Sequence, residues 1–136
     1  VRVGWSADGR DMLHPLTDEP ARNVTLPANW WEYADELNVA DGDVHITKRQ
    51  WGAFHGTELE LQLRRRGITQ IVLGGISTNI GVESTARNAF ELGFHQVLVE
   101  DAMSSSNADH HHFAVANIFP RLGRVRSTEQ VLAMLA

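Results

Sequence analysis

The sequence predicts an α/β protein built on a parallel sheet, because short apolar strands alternate with amphipathic helices from residue 44 onward. The clearest strand, residues 71–73, is a continuous apolar run of the kind that is buried on both faces of a sheet. A glycine-rich turn over residues 74–79 joins it to a helix over residues 80–92. In such sheets the site lies where the carboxyl ends of strands lead into helices, so we expect the functional residues there.

The other elements follow from periodicity and from end signals. Residues 1–3 are typical of the inside of a strand. Residues 5–43 hold three of the four prolines and are predicted to be loop-like. In residues 44–48, apolar and polar side chains alternate as in a short strand. A capping box over residues 57–60 opens a helix that ends at Gly67. The pattern then predicts a strand over residues 97–99, a helix over residues 107–118 and a strand over residues 124–126. A second capping box opens a final helix over residues 127–135.

Composition limits the classes of function. The 136 residues fit one domain, and the net charge of −5 argues against a general nucleic-acid binder, which needs a basic face. The sequence has no cysteine, so disulfides, thiolate metal sites and a cysteine nucleophile are excluded within it. No apolar or glycine run is longer than that of residues 71–76, which is far shorter than the about 20 residues that span a bilayer. We therefore expect a cytoplasmic domain with neither a nucleic-acid nor a membrane partner.

Two turns at predicted strand ends carry the candidate chemistry. The turn over residues 74–81 leads into a helix, where free N–H groups and the helix dipole suit an anion or an oxyanion. The alternative is that Gly74 and Gly75 only permit tight packing. Lys48, at the other strand end beside Trp51, is either a partly desolvated acid, base or electrostatic stabiliser, or a surface lysine whose stem covers that ring.

Three further features have ordinary structural explanations. The arginines at 64–66 are interpreted as cations at a helix C-terminus rather than as a phosphate site. The histidines at 110–112 point in different directions on a helix, so a structural or solvent-facing role is favoured over a metal site. Asn23 begins a glycosylation sequon that we attribute to chance.

Residues 48–59, 75–89 and 99–102 together resemble the isochorismatase-like (cysteine hydrolase) superfamily, above all in Thr-Asn-Ile-Gly-Val-Glu-Ser-Thr-Ala-Arg over residues 78–87. The similarity covers residues 44–135 in the family's order. It implies a three-layer α/β/α sandwich around a six-stranded parallel, Rossmann-like sheet. It also implies a site built from an Asp, a Lys and a Cys, in which the Lys corresponds to Lys48 and the Cys position to Gly81.

The resemblance also implies that an N-terminal part of the domain is absent. Residues 1–3 match the end of the family's second strand, whereas the catalytic Asp ends its first strand, which normally lies in the middle of the sheet. A sheet without that strand leaves two rows of backbone groups unpaired, which is costly. We therefore expect residues 1–136 to be a single, N-terminally truncated domain that lacks the first strand and helix, with an incomplete and inactive site.

Gly81 in place of the family's Cys excludes a thioester intermediate. Isochorismatases proper also lack the Cys, and they hydrolyse a vinyl ether by protonation and attack of water. The resemblance thus implies a small-molecule hydrolase without a covalent intermediate, in which Lys48 stabilises charge and the Ser77 and Gly81 N–H groups act as donors after a cis peptide at Ser77. The substrate-binding residues implied beside them are Trp51, Phe54, Ile76, Thr78 and Asn79.

Several alternatives and expected absences accompany this hypothesis. A catalytically silent, ligand-binding member of the superfamily is the alternative function, and Ser77 or Thr78 as a replacement nucleophile is a third possibility without an adjacent base. The family's Asp-x-His metal pattern is missing from residues 4–9, so we expect no metal, and we expect no cofactor. Family members usually form homo-oligomers, and the aromatic segment over residues 27–33 either lines such an interface or simply covers the core.

Overall fold

The computed structural model describes residues 1–19 and 25–136, and Asn23 of the sequon lies outside them. The strands are β1 (Arg2–Val3), β2 (Thr47–Lys48), β3 (Gln70–Ile76), β4 (His95–Ser104) and β5 (Arg124–Arg126). The helices are α1 (Leu59–Arg65), α2 (Glu83–Glu91), α3 (Ala108–Phe113), α4 (Phe119–Leu122) and α5 (Thr128–Leu135). A π-helical turn, Thr78–Val82, leads into α2, and another, Ala114–Ile118, joins α3 to α4.

All described strand pairs are parallel, as predicted, but they form two separate sheets. One sheet pairs β1 with β2, and the other has the order β3–β4–β5. Helices follow the strands and pack beside them, which confirms the predicted α/β class. Within the described residues, no hydrogen-bonded ladder joins β1 to β3, so each of these strands has one edge without a partner strand.

The main core lies between β4 and the helices that follow β3 and β4. Strand β4 is the middle strand of its sheet, and its residues 96–99 are all buried. Phe119 and Leu98 are the largest fully buried apolar side chains. They pack in one cluster with Val82, Ala86, Met103 and Ala114. The helix that starts beside the glycine-rich turn is therefore anchored by its buried face.

The expectation that residues 71–73 are buried on both faces is wrong for the described structure. Val72 is 50% exposed, and Ile71 and Leu73 are only half-buried. The reason is the free edge of β3, which borders an open cavity instead of another strand. Val97 and Leu98, the partners of Val72 and Leu73 on β4, also pair with β5 and are buried.

The two predicted capping boxes have different outcomes. At the start of α5, Ser127 accepts a hydrogen bond from the Gln130 N–H and the Gln130 side chain accepts one from the Ser127 N–H, which confirms the box. At α1 only half of the box forms: the Thr57 hydroxyl accepts a hydrogen bond from the Leu59 N–H at 3.2 Å, whereas the Glu60 carboxylate pairs with Arg64. The Thr57 hydroxyl also donates to the Ala53 carbonyl, which ties the helix start to the preceding loop.

The arginines at the end of α1 have contacts within the chain, as the structural interpretation predicts. The Arg64 guanidinium donates to the Leu92 carbonyl and lies 4.1 Å from the centre of the Phe94 ring. Gly67, just beyond the helix, has a φ of +65°, which glycine adopts without steric cost. This end of α1 is thereby attached to the end of α2.

The loop region contains only one short 3₁₀ turn among its described residues, Asp35–Leu37. Its aromatic side chains contact the first strand and its neighbours. Trp30 stacks on Trp5 with ring centres 5.0 Å apart, and the Arg2 guanidinium lies 4.4 Å from the Trp31 ring centre. These contacts favour attachment to the core, whereas the expected homo-oligomer stays a prediction. No helix within residues 1–19 and 25–136 has both the length and the apolar character needed to cross a membrane.

Candidate active site

A cavity of about 1170 Å³ opens between the two sheets, at the carboxyl ends of β1, β2 and β3. This is where a parallel sheet is expected to hold its site. Six of the predicted site residues line it, namely Lys48, Trp51, Phe54, Ile76, Ser77 and Gly81. Phe54 is half-buried and stacks on Phe94, whereas Trp51 and Ile76 are 68% and 78% exposed. Phe54, Trp51 and Ile76 form an apolar wall of the cavity, in which Phe54 is held by its stacking on Phe94 and the other two side chains are open to solvent.

Lys48 and Gly81 lie against each other on the lining of this cavity. A Cβ atom built on Gly81 would lie 3.0 Å from the Lys48 Nζ atom, and 3.5 Å from the carbonyl oxygens of Ile76 and Trp51. The Lys48 ammonium donates to the Trp51 carbonyl at 2.5 Å. The structure thus brings together two residues that are far apart in the chain and that the sequence singled out separately.

Lys48 is the only lysine of the sequence, and its charge is poorly compensated. It is half-buried, and desolvation lowers its pKa from the ordinary lysine value of 10.5. None of the ion pairs found among the described residues includes it. A cation in this position can stabilise negative charge that develops on a bound molecule.

This electrostatic situation predicts a pH-dependent effect of Lys48→Met on stability. The folded protein releases the Lys48 proton at a lower pH than the unfolded chain does, so between these two pKa values the unfolded state binds more protons. We expect the variant to be slightly more stable than the original protein at pH 7, with a difference that shrinks as the pH approaches 10.5. Urea denaturation midpoints across this range measure the difference. Leu61→Met is the control, because it replaces an exposed, uncharged side chain, and its difference in stability from the original protein should not change with pH. A difference for Lys48→Met that is equally independent of pH would contradict the prediction.

The glycine-rich turn has the cis peptide that the family resemblance implies, between Ile76 and Ser77. After it, the Ser77 carbonyl accepts hydrogen bonds from the N–H groups of Ile80 and Val82, each at 3.1 Å. Gly75 has a φ of +127°, a region that side chains disfavour. A Cβ on Gly74 would lie 3.0 Å from the Ala102 carbonyl oxygen. The two glycines are therefore explained by packing and backbone geometry, whatever the turn binds.

Thr85 is a site residue that the sequence analysis missed. Its hydroxyl donates to the Gly81 carbonyl at 2.7 Å and accepts a hydrogen bond from the Ala53 N–H at 3.0 Å. The side chain is 4% exposed and joins the start of α2 to the loop that follows Lys48. A signal was present, because Thr85 lies beside Ala86 on the apolar face of its helix, and a buried hydroxyl there needs partners.

Two predicted substrate-binding residues point elsewhere. Thr78 and Asn79 do not line the cavity. Thr78 is fully buried, and its hydroxyl shares a hydrogen bond of 2.8 Å with Nδ1 of His111. The Asn79 side chain accepts a hydrogen bond of 2.7 Å from the Ser105 hydroxyl. Both side chains hold the turn against the segment that begins α3, and their expected contact with a substrate stays a prediction.

The loops after β1 and β2 meet through an exposed ion pair. Arg49, next to Lys48, pairs with Asp11 at 2.7 Å. The Ser6 N–H and then the Arg49 guanidinium lower the pKa of Asp11 to about 2. Within the described part of the chain, no three His, Cys, Asp or Glu side chains are grouped so that they could hold a metal ion. The expected absence of a metal stays a prediction.

Comparisons with known proteins identify the family of the chain. A family model described as "Isochorismatase domain" matches residues 1–130. The uncharacterized isochorismatase family protein YecD of Escherichia coli O157:H7 is 58% identical over 135 residues, which are 99% of this chain and 72% of that protein. The ureidoacrylate amidohydrolase RutB of Methylobacterium radiotolerans is 36% identical over 110 residues, which are 78% of this chain and 43% of that protein.

A solved structure gives the same result for the fold. An isochorismatase family protein from Burkholderia thailandensis superposes with a TM-score of 0.93 at 48% sequence identity, over 98% of this chain and 70% of that one. The family model covers well over half of the chain. The chain therefore belongs to the isochorismatase family.

Proposed function

We propose that this chain carries most of the site of a small-molecule hydrolase that works without a covalent enzyme intermediate. One observation carries the proposal. Residue 81 lies so close to Lys48 that a Cβ atom built on it would be 3.0 Å from the Lys48 Nζ atom, yet glycine has no side-chain atom that could attack a substrate. A nucleophilic water is the remaining attacking group. The Lys48 ammonium and the Ser77 and Gly81 N–H groups would bind a carboxylate of the substrate, whose negative charge also offsets the cation that forms during the reaction.

Vinyl-ether hydrolysis is the reaction class that suits these groups. An acid protonates the terminal carbon of the double bond, water adds to the resulting oxocarbenium ion, and the hemiketal breaks down into a ketone and an alcohol. No bond to the protein forms, so the missing side chain at position 81 is no obstacle. Amide hydrolysis by the thioester route is unavailable, because the sequence has no cysteine.

We propose further that the acid comes from an additional parallel strand between β1 and β3. Two observations support this proposal: both strands have an edge without a partner strand in the described structure, and the cavity extends along both of them. YecD, of which this chain covers 72%, has residues outside the match that could supply such a strand. An Asp at its carboxyl end would meet Lys48. Residues 1–136 would then form one truncated domain, as the family resemblance implies.

A catalytically silent, ligand-binding protein is the second candidate. The observation that favours it is that neither Asp nor Glu is among the described residues that line the cavity. If the additional strand brings no carboxyl group, the cavity keeps its cation, its aromatic wall and its backbone donors but has no acid. Such a site would bind a small anion or ring compound without converting it.

The test uses the longer protein that includes the additional strand. A small enolpyruvyl ether is supplied, and pyruvate release is followed by a coupled dehydrogenase assay. We expect turnover that falls about a hundred-fold in Lys48→Met and is unchanged in Ser77→Ala, because Ser77 acts through its backbone N–H. Loss of turnover in Ser77→Ala would instead favour a serine nucleophile.

Two further outcomes separate the candidates. Calorimetric binding of the ether without pyruvate release would overturn the hydrolase proposal in favour of the silent protein. In the same longer protein, Gly81→Cys is tested for ammonia release from small amides. Gain of amidase activity would show that the acid and the cation are both in working positions.

A further inference from the structure

The turn that carries the proposed donors is held from outside the cavity. Thr78 follows Ser77 directly, is 0% exposed, and shares its hydroxyl hydrogen bond with Nδ1 of His111 at 2.8 Å. His111 is half-buried on α3, which lies beyond β4. Because a buried hydroxyl without a partner is costly, removing the imidazole would favour a different position of Thr78.

A second contact joins the same two segments. The Ser105 hydroxyl donates to the Asn79 side chain at 2.7 Å. Asn107 then caps α3, its side chain accepting a hydrogen bond from the Asp109 N–H at 2.8 Å. Residues 105–111 therefore contact two successive residues of the turn through side chains, and the cap fixes the helix from which His111 extends.

Thr78 does not line the cavity, but residues on both sides of it in the chain do. Ser77 precedes it, and the Ser77 carbonyl accepts hydrogen bonds from the Ile80 and Val82 N–H groups. Thr78 itself begins the π-helical turn Thr78–Val82, which contains Gly81. We infer that His111 is a positioning residue, which holds Thr78 and thereby sets where Ser77 and Gly81 stand relative to Lys48. The inference rests on the proposed function only in assigning those two residues to the site.

The first test measures amide hydrogen exchange and needs no substrate. In His111→Ala we expect the Ile80 and Val82 amides to exchange about ten-fold faster, because local opening of the turn becomes easier, while the amides of β4 keep their rates. His110→Ala is the matched control, since His110 is exposed one residue earlier on the same helix. Equal acceleration in β4 would show a general loss of stability and overturn the inference.

Replacing His111 with asparagine or glutamine distinguishes the role of the hydrogen bond from that of side-chain packing. The side-chain amide of asparagine places a polar atom where Nδ1 lies, whereas that of glutamine reaches the Nε2 position. We expect His111→Asn to restore the slow exchange and His111→Gln not to restore it. A protein rescued equally by both, or by neither, would contradict the assigned contact.

A double-variant cycle tests whether Thr78 is the intermediate. Once Thr78→Val has removed the hydroxyl, His111→Ala should produce no further acceleration at Ile80 and Val82. Additive effects would overturn the inference. If the longer protein hydrolyses the enolpyruvyl ether, His111→Ala should lower kcat about ten-fold and His111→Asn should restore it. If no turnover is found, the exchange results still decide the inference, so its failure and that of the proposed function are distinguishable.

Discussion

Replacing Gly81 with cysteine is expected to create a thiol whose pKa lies below that of an ordinary cysteine. The new Cβ would stand 3.0 Å from the Lys48 Nζ atom, close enough for the ammonium to stabilise a thiolate. Lys48 can yield by a few tenths of an ångström, because its Nζ atom is the end of a flexible side chain. We expect the thiolate fraction at pH 6.5 to exceed that of a free cysteine at least about ten-fold.

The measurement is unambiguous because the sequence has no cysteine of its own. Thiolate absorbance in the ultraviolet, or the pH dependence of alkylation by iodoacetamide, reports the single introduced group. Burial alone would raise the pKa of a thiol, so the direction of the shift separates the effect of Lys48 from that of desolvation.

Lys48→Met in the Gly81→Cys background is the control. We expect it to move the thiol pKa to the ordinary cysteine value or above, because only desolvation then acts. An unchanged, low pKa in the double variant would mean that the ammonium is not the stabilising group, and the facing arrangement of the two positions would be wrong. The result needs no substrate, so it tests the site independently of the reaction.

The parts of this site that could be predicted are those carried by backbone pattern. The apolar strand, glycine-rich turn and helix around Gly81 are adjacent in the chain, and parallel strands place their carboxyl ends at one edge. Lys48 could be assigned to the same edge for that reason. The exposure of Val72 could not be predicted, because it depends on which strand lies beside β3 and not on the residues of β3 itself.

Thr85 and the structural contact of Thr78 were missed, because each depends on a side-chain contact between distant segments. Thr85 meets Ala53 across 32 positions of sequence, and Thr78 meets His111 across 33. Neither pairing has a periodicity or a spacing that a single sequence displays. The histidine triplet did indicate a structural role, but only the structure identifies which of its members has a partner in the turn.

The largest effect on stability is expected for Phe119→Ala. Phe119 is fully buried at the start of α4 and belongs to the cluster that contains Leu98 of β4 and Val82 and Ala86 at the start of α2. Truncating a buried phenylalanine removes its transfer free energy and leaves a cavity, which lowers the free energy of unfolding by about 3–5 kcal/mol. Chemical denaturation followed by tryptophan fluorescence measures the change. Phe119→Leu, expected to cost about 1–2 kcal/mol, provides a folded variant if the alanine variant does not fold.

Phe113→Ala is the matched control, because Phe113 ends α3 in the same helical stretch but is 60% exposed. Its expected cost is below about 0.5 kcal/mol, and similar losses of stability for both variants would contradict the assigned core.

The same pair of variants also tests how the core supports the site. The cluster around Phe119 supports the buried face of α2, and Thr85 on that helix is bonded to the Gly81 carbonyl and to the loop after Lys48. A variant that loosens this cluster should therefore also disturb position 81. In the Gly81→Cys background, we expect Phe119→Leu to reduce the lowering of the thiol pKa by Lys48. Phe113→Ala should leave that pKa unchanged.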